Sequence, residues 1–135
     1  MSEYAVFDTS VLVDNWRTNR HARRMAEFRP LIRNCSVVLA ELWRGAIEPE
    51  ERETLRILEK NHAMLSPTPN HWIESGHILA KIRDEKGFAA SKLRDLHFDV
   101  LIALTVRSHG ARLVTSNRAD FELIREYREF KMEVW

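Results

Sequence analysis

The chain has 135 residues, 44% of them hydrophobic, which suits one compact domain with a substantial core and leaves too little length for a second module. Lysine and arginine number 21 against 20 aspartate and glutamate, so no net charge marks the whole chain as a nucleic-acid binder, and any such surface has to come from local clustering. A single cysteine, Cys35, excludes an internal disulfide; with no signal-like leader and no apolar run of bilayer length, a cytoplasmic protein without membrane association is expected.

Tyr4-Ala-Val-Phe7 reads as a short strand, and Asp8-Thr-Ser10 offers capping side chains before a helix through Val11 to Trp16. From Arg17 to Arg33, arginines and His21 mix with Met25, Phe28, Leu31 and Ile32 as in an amphipathic helix with a basic outer face, broken or bent at Pro30. Asn34-Cys-Ser36 ends a short buried strand, and Ser36 is placed to cap a helix that stops at Gly45. Pro49 opens a further helix with Leu55, Ile57 and Leu58 on its apolar face, and Ala63 to Ser66 reads as a strand. Pro67 and Pro69 enforce an extended connection before a helix from about Asn70 to Lys86, with Trp72, Ile73, Leu79 and Ile82 inward and Gly87 at its end.

Asp99 begins an apolar run expected to be a buried helix, which Gly110 ends. Ala111 to Thr115 then reads as a strand, Phe121 to Tyr127 as a short helix, and Phe130 to Trp135 as a last strand with one wet face. Strands and helices alternating in so short a chain predict a three-layer α/β/α sandwich with a mainly parallel central sheet, residues 1–135 forming a single domain. In such folds the loops after the strands gather at one edge, where ligands bind.

Most acids lie among other charges, but Asp8, Glu41, Asp99 and Asp120 each interrupt an apolar setting. An ionised carboxylate removed from water without a partner is strongly unfavourable, and few cations sit beside these four in sequence. Each has an ordinary alternative: Asp8 as a helix cap, Glu41 as a solvent-facing helix residue, Asp99 as a charge favoured by a helix dipole, Asp120 as a turn residue. Their positions in the predicted topology favour a shared site instead, with strand ends and one facing helix bringing all four to one edge. Two unit charges at about 4 Å repel by about 4 kcal/mol at an effective dielectric near 20, so the cluster calls for a compensating cation. Hard oxygen ligands select Mg²⁺ or Mn²⁺.

Asp95, one helical turn before Asp99, is a neighbour of the site, and Asp14 is expected on the wet side of its helix. The six histidines are scattered without metal-binding spacing or a nucleophile beside them, and most are expected at the surface. Arg44 and Arg118 lie nearest the acids and are the better candidates for nucleic-acid contact. Arg112, which with Arg118 flanks the last acidic loop, and the Arg17 to Arg33 face are further candidates.

Four segments together resemble the PIN domain, in particular the VapC-type toxins of toxin–antitoxin pairs: Phe7-Asp-Thr-Ser-Val-Leu-Val13, Ser36-Val-Val-Leu-Ala-Glu-Leu-Trp-Arg-Gly45, Asp99-Val-Leu-Ile-Ala103 and Leu113-Val-Thr-Ser-Asn-Arg-Ala-Asp-Phe121. The resemblance covers the whole chain. It implies that Asp8, Glu41, Asp99 and Asp120 are the acidic quartet, catalytic and metal-binding, with Thr115 and Asn117 as supporting polar positions. It further implies a Mg²⁺-dependent endoribonuclease, with Mn²⁺ as a substitute ion. The expected partners are an RNA substrate with transfer RNA as a candidate, a cognate VapB-type antitoxin and a second copy in a homodimer. Two other readings stay open: a non-catalytic, metal-containing RNA- or protein-binding domain, and a metal phosphatase. The phosphatase is disfavoured because no second aspartate follows two residues after Asp8. If the acids hold an ion, Mg²⁺ or Mn²⁺ raises the melting temperature and Asp99→Asn abolishes most of that rise; equal responses of the two proteins would count against the site.

Overall fold

The computed structural model describes residues 3–135, and its sheet is built outward from β1 (Tyr4–Phe7). This strand pairs in parallel with β2 (Leu31–Ile32) on one side and β5 (Arg112–Thr115) on the other. β6 (Lys131–Val134) extends the sheet in parallel beside β5, giving the order β2-β1-β5-β6. A separate parallel pair joins β3 (Asn34–Cys35) to β4 (Met64–Leu65). Parallel neighbours need crossover connections. The helices that supply them are α1 (Thr9–Thr18), α2 (Ala22–Glu27), α3 (Ser36–Gly45), α4 (Pro49–Asn61), α5 (Pro69–Lys86), α6 (Ala90–Ser108) and α7 (Arg118–Arg125). The α/β sandwich with a parallel sheet is therefore the fold.

Strand pleating sorts side chains to the two faces. Val6 and Leu113 enter the main core with Val38 and Leu42 of α3, Ile78 and Ile82 of α5, and Phe121 and Ile124 of α7. Ala5 and Val114 turn the other way, into a smaller cluster with Val11, Phe7, Met25, Phe28 and Trp135. Helix α6 is central to the main core. Its residues from Val100 to Val106 are all buried, and the one polar side chain among them, Thr105, bonds back to the Leu101 carbonyl at 2.8 Å. A helix apolar all round is a helix enclosed all round, which is what the uninterrupted run after Asp99 signalled.

Three expectations are corrected. The Arg17 to Arg33 segment is not one helix: α1 runs on to Thr18 and ends at Asn19, whose φ of 56° is a left-handed conformation that asparagine tolerates. Short α2 follows, and after Pro30 the chain enters β2. Ser36 does not cap α3 but is its first residue, the preceding position being Cys35 with no side-chain cap. Trp72 and Ile73 do not face inward, because α5 docks through Ser75, Ile78 and Ile82, leaving Trp72 50% and Ile73 64% exposed. Ser75 holds a core position because its hydroxyl is satisfied, donating to the Trp72 carbonyl at 2.6 Å and meeting His97 Nε2 at 3.0 Å.

No helix among the described residues is long and apolar enough to cross a membrane. The docking of α5 gives a contrast between neighbours on one helix. Ile82→Ala, at a fully buried position, should cost about 2–5 kcal/mol, whereas Ile73→Ala should shift stability by under about 0.5 kcal/mol. Urea denaturation of both variants checks this, and similar losses would contradict the packing.

Candidate active site

The register of β1 against β5 sets Phe7 beside Val114, and Asp8 continues the ladder by donating its N–H to the Val114 carbonyl at 2.9 Å. Asp8 and Thr115 therefore leave the sheet side by side at its C-terminal edge. Asp8 precedes α1 but does not cap it with its side chain. Instead its Oδ2 accepts hydrogen bonds from Ser10 Oγ at 2.7 Å and Thr115 Oγ1 at 2.9 Å. Both hydroxyl protons are thereby committed to Asp8, so the two oxygens are free to accept. Ser10 Oγ receives the Ser116 N–H at 3.0 Å, and Thr115 Oγ1 receives the Asn117 N–H at 2.9 Å. This network ties the turn after β5 to the start of α1.

Glu41 projects from α3, and its Oε1 accepts a hydrogen bond from Thr9 Oγ1 at 3.0 Å, fixing it to the start of α1. Asp120 lies in the first turn of α7, rather than ahead of a helix. Its Oδ2 accepts from Asn117 Nδ2 at 3.2 Å and its Oδ1 from Lys92 Nζ at 3.0 Å. Asp99 sits midway along the 19-residue α6, far from any helix end, so a dipole does not explain it. Among the described residues its carboxylate makes no side-chain hydrogen bond.

Burial and mutual repulsion govern the protonation of these groups. Burial raises the Asp8 carboxyl above its ordinary range, against the lowering hydrogen bonds of Ser10 and Thr115. Glu41 is raised in the same way, first by burial, with Thr9 opposing, the Asp8 charge adding and Arg44 subtracting. Asp99 is pushed up to about 8, first by burial and then by the charges of Asp8, Glu41 and Asp120, with Lys92 opposing. The four acids thus share one electrostatic environment. Among the described residues, no three acids, histidines or cysteines have their ligand atoms drawn together into a ready-made cation cage. The donor set nonetheless suits a hard divalent ion: all carboxylate oxygens, one of the carboxylates without any partner.

Several residues singled out in the sequence stand elsewhere. Asp95 is exposed, and Asp14 lies on α1 at 3.9 Å from His21 Nε2. His21 is itself buried and packs on Trp135 with ring centroids 5.6 Å apart, the other five histidines being exposed or half-buried. Arg112 opens β5 at the end remote from Asp120 and is paired with Glu3 at 2.5 Å and Glu133 at 2.8 Å, so it does not flank the acids. Arg44 and Arg118 are exposed; Arg118 has Glu122 at 3.9 Å.

Four residues of the site were not identified from the sequence. By sequence Thr9 and Ser10 read as capping groups and Ser116 is one residue of the Leu113–Phe121 segment, whereas all three carry hydrogen bonds of the acid network. Lys92 had a legible signal, since it precedes Asp99 by seven residues, about two helical turns, and so shares its side of α6. Beside Glu41 and Thr9 opens a cleft of about 420 Å³, walled by Val13, Trp16, Leu42 and Ile47, with Arg17 at its side.

A family model for the PIN domain matches residues 5–127. The chain belongs to the PIN-domain family. All four carboxylates fall within the matched span. The PIN fold is shared with VapBC of Salmonella typhimurium solved with DNA, at 21% identity and a TM-score of 0.74 over 100% of this chain and 99% of that one. VapBC2 of Rickettsia felis, bound to a DNA fragment from its promoter, gives 21% and 0.72, covering 98% of each chain. VapBC-1 of nontypeable Haemophilus influenzae gives 20% and 0.70, again over 98% of each. Comparison with curated protein sequences gives no match.

The Asp99 carboxyl supplies a pH test on ion-free protein. Unfolded, it ionises near 3.8; folded, only at about 8. Between those values the unfolded chain has released a proton that the folded chain keeps, so stability falls as pH rises through this window. Below 3.8 both states are protonated and the penalty vanishes. In chelator, Asp99→Asn should therefore melt above wild type at pH 8 and converge with it at the acid end. Melting curves that run parallel across the range would contradict the assignment.

Proposed function

We propose that this PIN domain is a VapC-type toxin, a Mg²⁺-dependent endoribonuclease, with Mn²⁺ as an alternative ion. The observation that carries the reading is the mutual repulsion that Asp8, Glu41 and Asp120 exert on Asp99, whose carboxylate has no hydrogen-bond partner among the described residues. Asp8, Asp99 and Asp120 would be the principal ligands of the ion, with Glu41 binding directly or through water. Such an ion supplies Lewis-acid polarisation of the phosphate and a bound water of lowered pKa.

The protein's own groups have distinct tasks in this reading. Thr115 and Ser10 hold Asp8 in one orientation, and Asn117 does the same for Asp120. Glu41, with Oε1 engaged by Thr9, presents Oε2 to orient the attacking water and take its proton. Attack in line with the leaving oxygen breaks the phosphorus–oxygen bond without using the RNA 2′-hydroxyl. Arg44 and Arg118, exposed near the acids, contact the phosphodiester backbone.

The VapBC likenesses support a VapB-type antitoxin as partner. The apolar walls of the cleft beside Glu41 suit a segment that packs there and covers the acids. Exposed Trp72 and Ile73, adjacent at the start of α5, give the expected homodimer apolar side chains to cover. Transfer RNA remains the candidate substrate, and a cytoplasmic location the expected one.

Incubation of total cellular RNA with the protein and Mg²⁺ tests the reading, with Asp8→Ala and a 2′-O-methylated oligonucleotide alongside. Cleavage should appear with wild type, fall by on the order of 10²-fold or more in the variant, and persist on the methylated substrate. RNA that is bound but left intact would instead favour the non-catalytic binding domain. Resistance of a bound, methylated RNA would exclude direct attack by water.

A further inference from the structure

Lys92 is the basic side chain in contact with the acid cluster among the described residues, its Nζ 3.0 Å from Asp120 Oδ1. It comes from α6, the helix that also carries Asp99, whereas Asp120 comes from α7, so the contact bridges two of the elements that build the site. The lysine side chain is 41% exposed and that of Asp120 27%. A pair this open to solvent contributes little as a stability device, and among the described residues neither Arg44 nor Arg118 makes an ion pair with any of the four acids. What sets Lys92 apart is its location: its ammonium is in direct contact with one of four carboxylates that repel one another, whereas Arg44 acts on Glu41 without an ion-pair contact.

We propose that Lys92 is a built-in counter-cation of the acid cluster, holding Asp120 in the ion-free protein and competing with a divalent ion for Asp120 Oδ1. This rests on the reading of the four acids as a metal centre. Without an ion, the ammonium offsets part of the repulsion and keeps Asp120 oriented together with Asn117. A divalent cation brings twice the charge to the same acids and repels the ammonium, so loading the site requires Lys92 to leave Oδ1. The lysine therefore raises the ion concentration at which the site fills, and by linkage the ion weakens the Lys92–Asp120 contact to the same degree.

Melting of wild type, Lys92→Met and Lys92→Arg in chelator and in saturating Mn²⁺, with calorimetric Mn²⁺ titration of each, tests this without RNA. The methionine variant keeps the apolar stem and loses only the charge. Lys92→Met should melt below wild type in chelator and level with or above it in Mn²⁺, and should bind Mn²⁺ about three- to tenfold more tightly. Lys92→Arg should follow wild type. An equal loss of melting temperature in both conditions, with unchanged Mn²⁺ affinity, would reduce Lys92 to an ordinary surface ion pair and overturn the proposal. Weaker Mn²⁺ binding by Lys92→Met would overturn it too, by making the lysine a helper of the ion. A wild type that binds no Mn²⁺ would remove the metal centre and this proposal together. Since no readout involves RNA, failure of the nuclease reading alone leaves these outcomes unchanged.

Discussion

Like charges about 4 Å apart repel by about 4 kcal/mol at an effective dielectric near 20, and this fold turns four carboxylates toward one sheet edge and partly buries them. Parallel pairing of β1 with β5 begins that crowding, because it brings Asp8 and the Thr115 turn that leads to Asp120 to the same end of neighbouring strands, and α3 and α6 add Glu41 and Asp99. The surrounding hydrogen bonds distribute the burden unevenly. Asp8 is held by two hydroxyls whose oxygens are themselves occupied by backbone N–H groups, Glu41 by Thr9, and Asp120 by Asn117 and Lys92. Asp99 makes no side-chain hydrogen bond among the described residues, and burial, followed by the charges of Asp8, Glu41 and Asp120, pushes its carboxyl up to about 8.

Much of this is legible in the sequence. Apolar neighbours on both sides of Glu41, Asp99 and Asp120, and the apolar run that ends at Asp8, mark charges out of place, and strand–helix alternation directs them to a common edge. The cluster of polar helpers was not legible in the same way. Thr9, Ser10 and Ser116 are residue types that serve turns and caps throughout proteins, and only the register of β1 against β5 converts them into partners of the acids. Lys92 lay within reach of helical spacing but outside the apolar run that drew attention to Asp99.

Two of the differences, on α5 and between Arg17 and Arg33, have a common origin in counting apolar side chains. On α5, Trp72 and Ile73 were assigned to the core because they are large and hydrophobic, yet the buried line runs through Ser75, which qualifies by its hydrogen bonds. In the Arg17 to Arg33 segment a helical pattern of apolar residues concealed the left-handed Asn19 that ends α1. Hydrophobic periodicity records which residues prefer burial; satisfaction of polar groups and backbone conformation decide which positions are available.

The partnerless carboxylate of Asp99 also bears on how long such a chain survives in a cell. In the proposed metal-centre reading, whatever binds the folded acids and not the unfolded chain shifts the folding equilibrium. The ion-free protein then opens more often than the loaded one, and proteases act on the opened form. Turnover would follow the supply of divalent ion, clearing chains that cannot act and sparing those that can. Replacing Asp99 with a neutral residue would separate the two properties, giving a longer-lived protein with a compromised site.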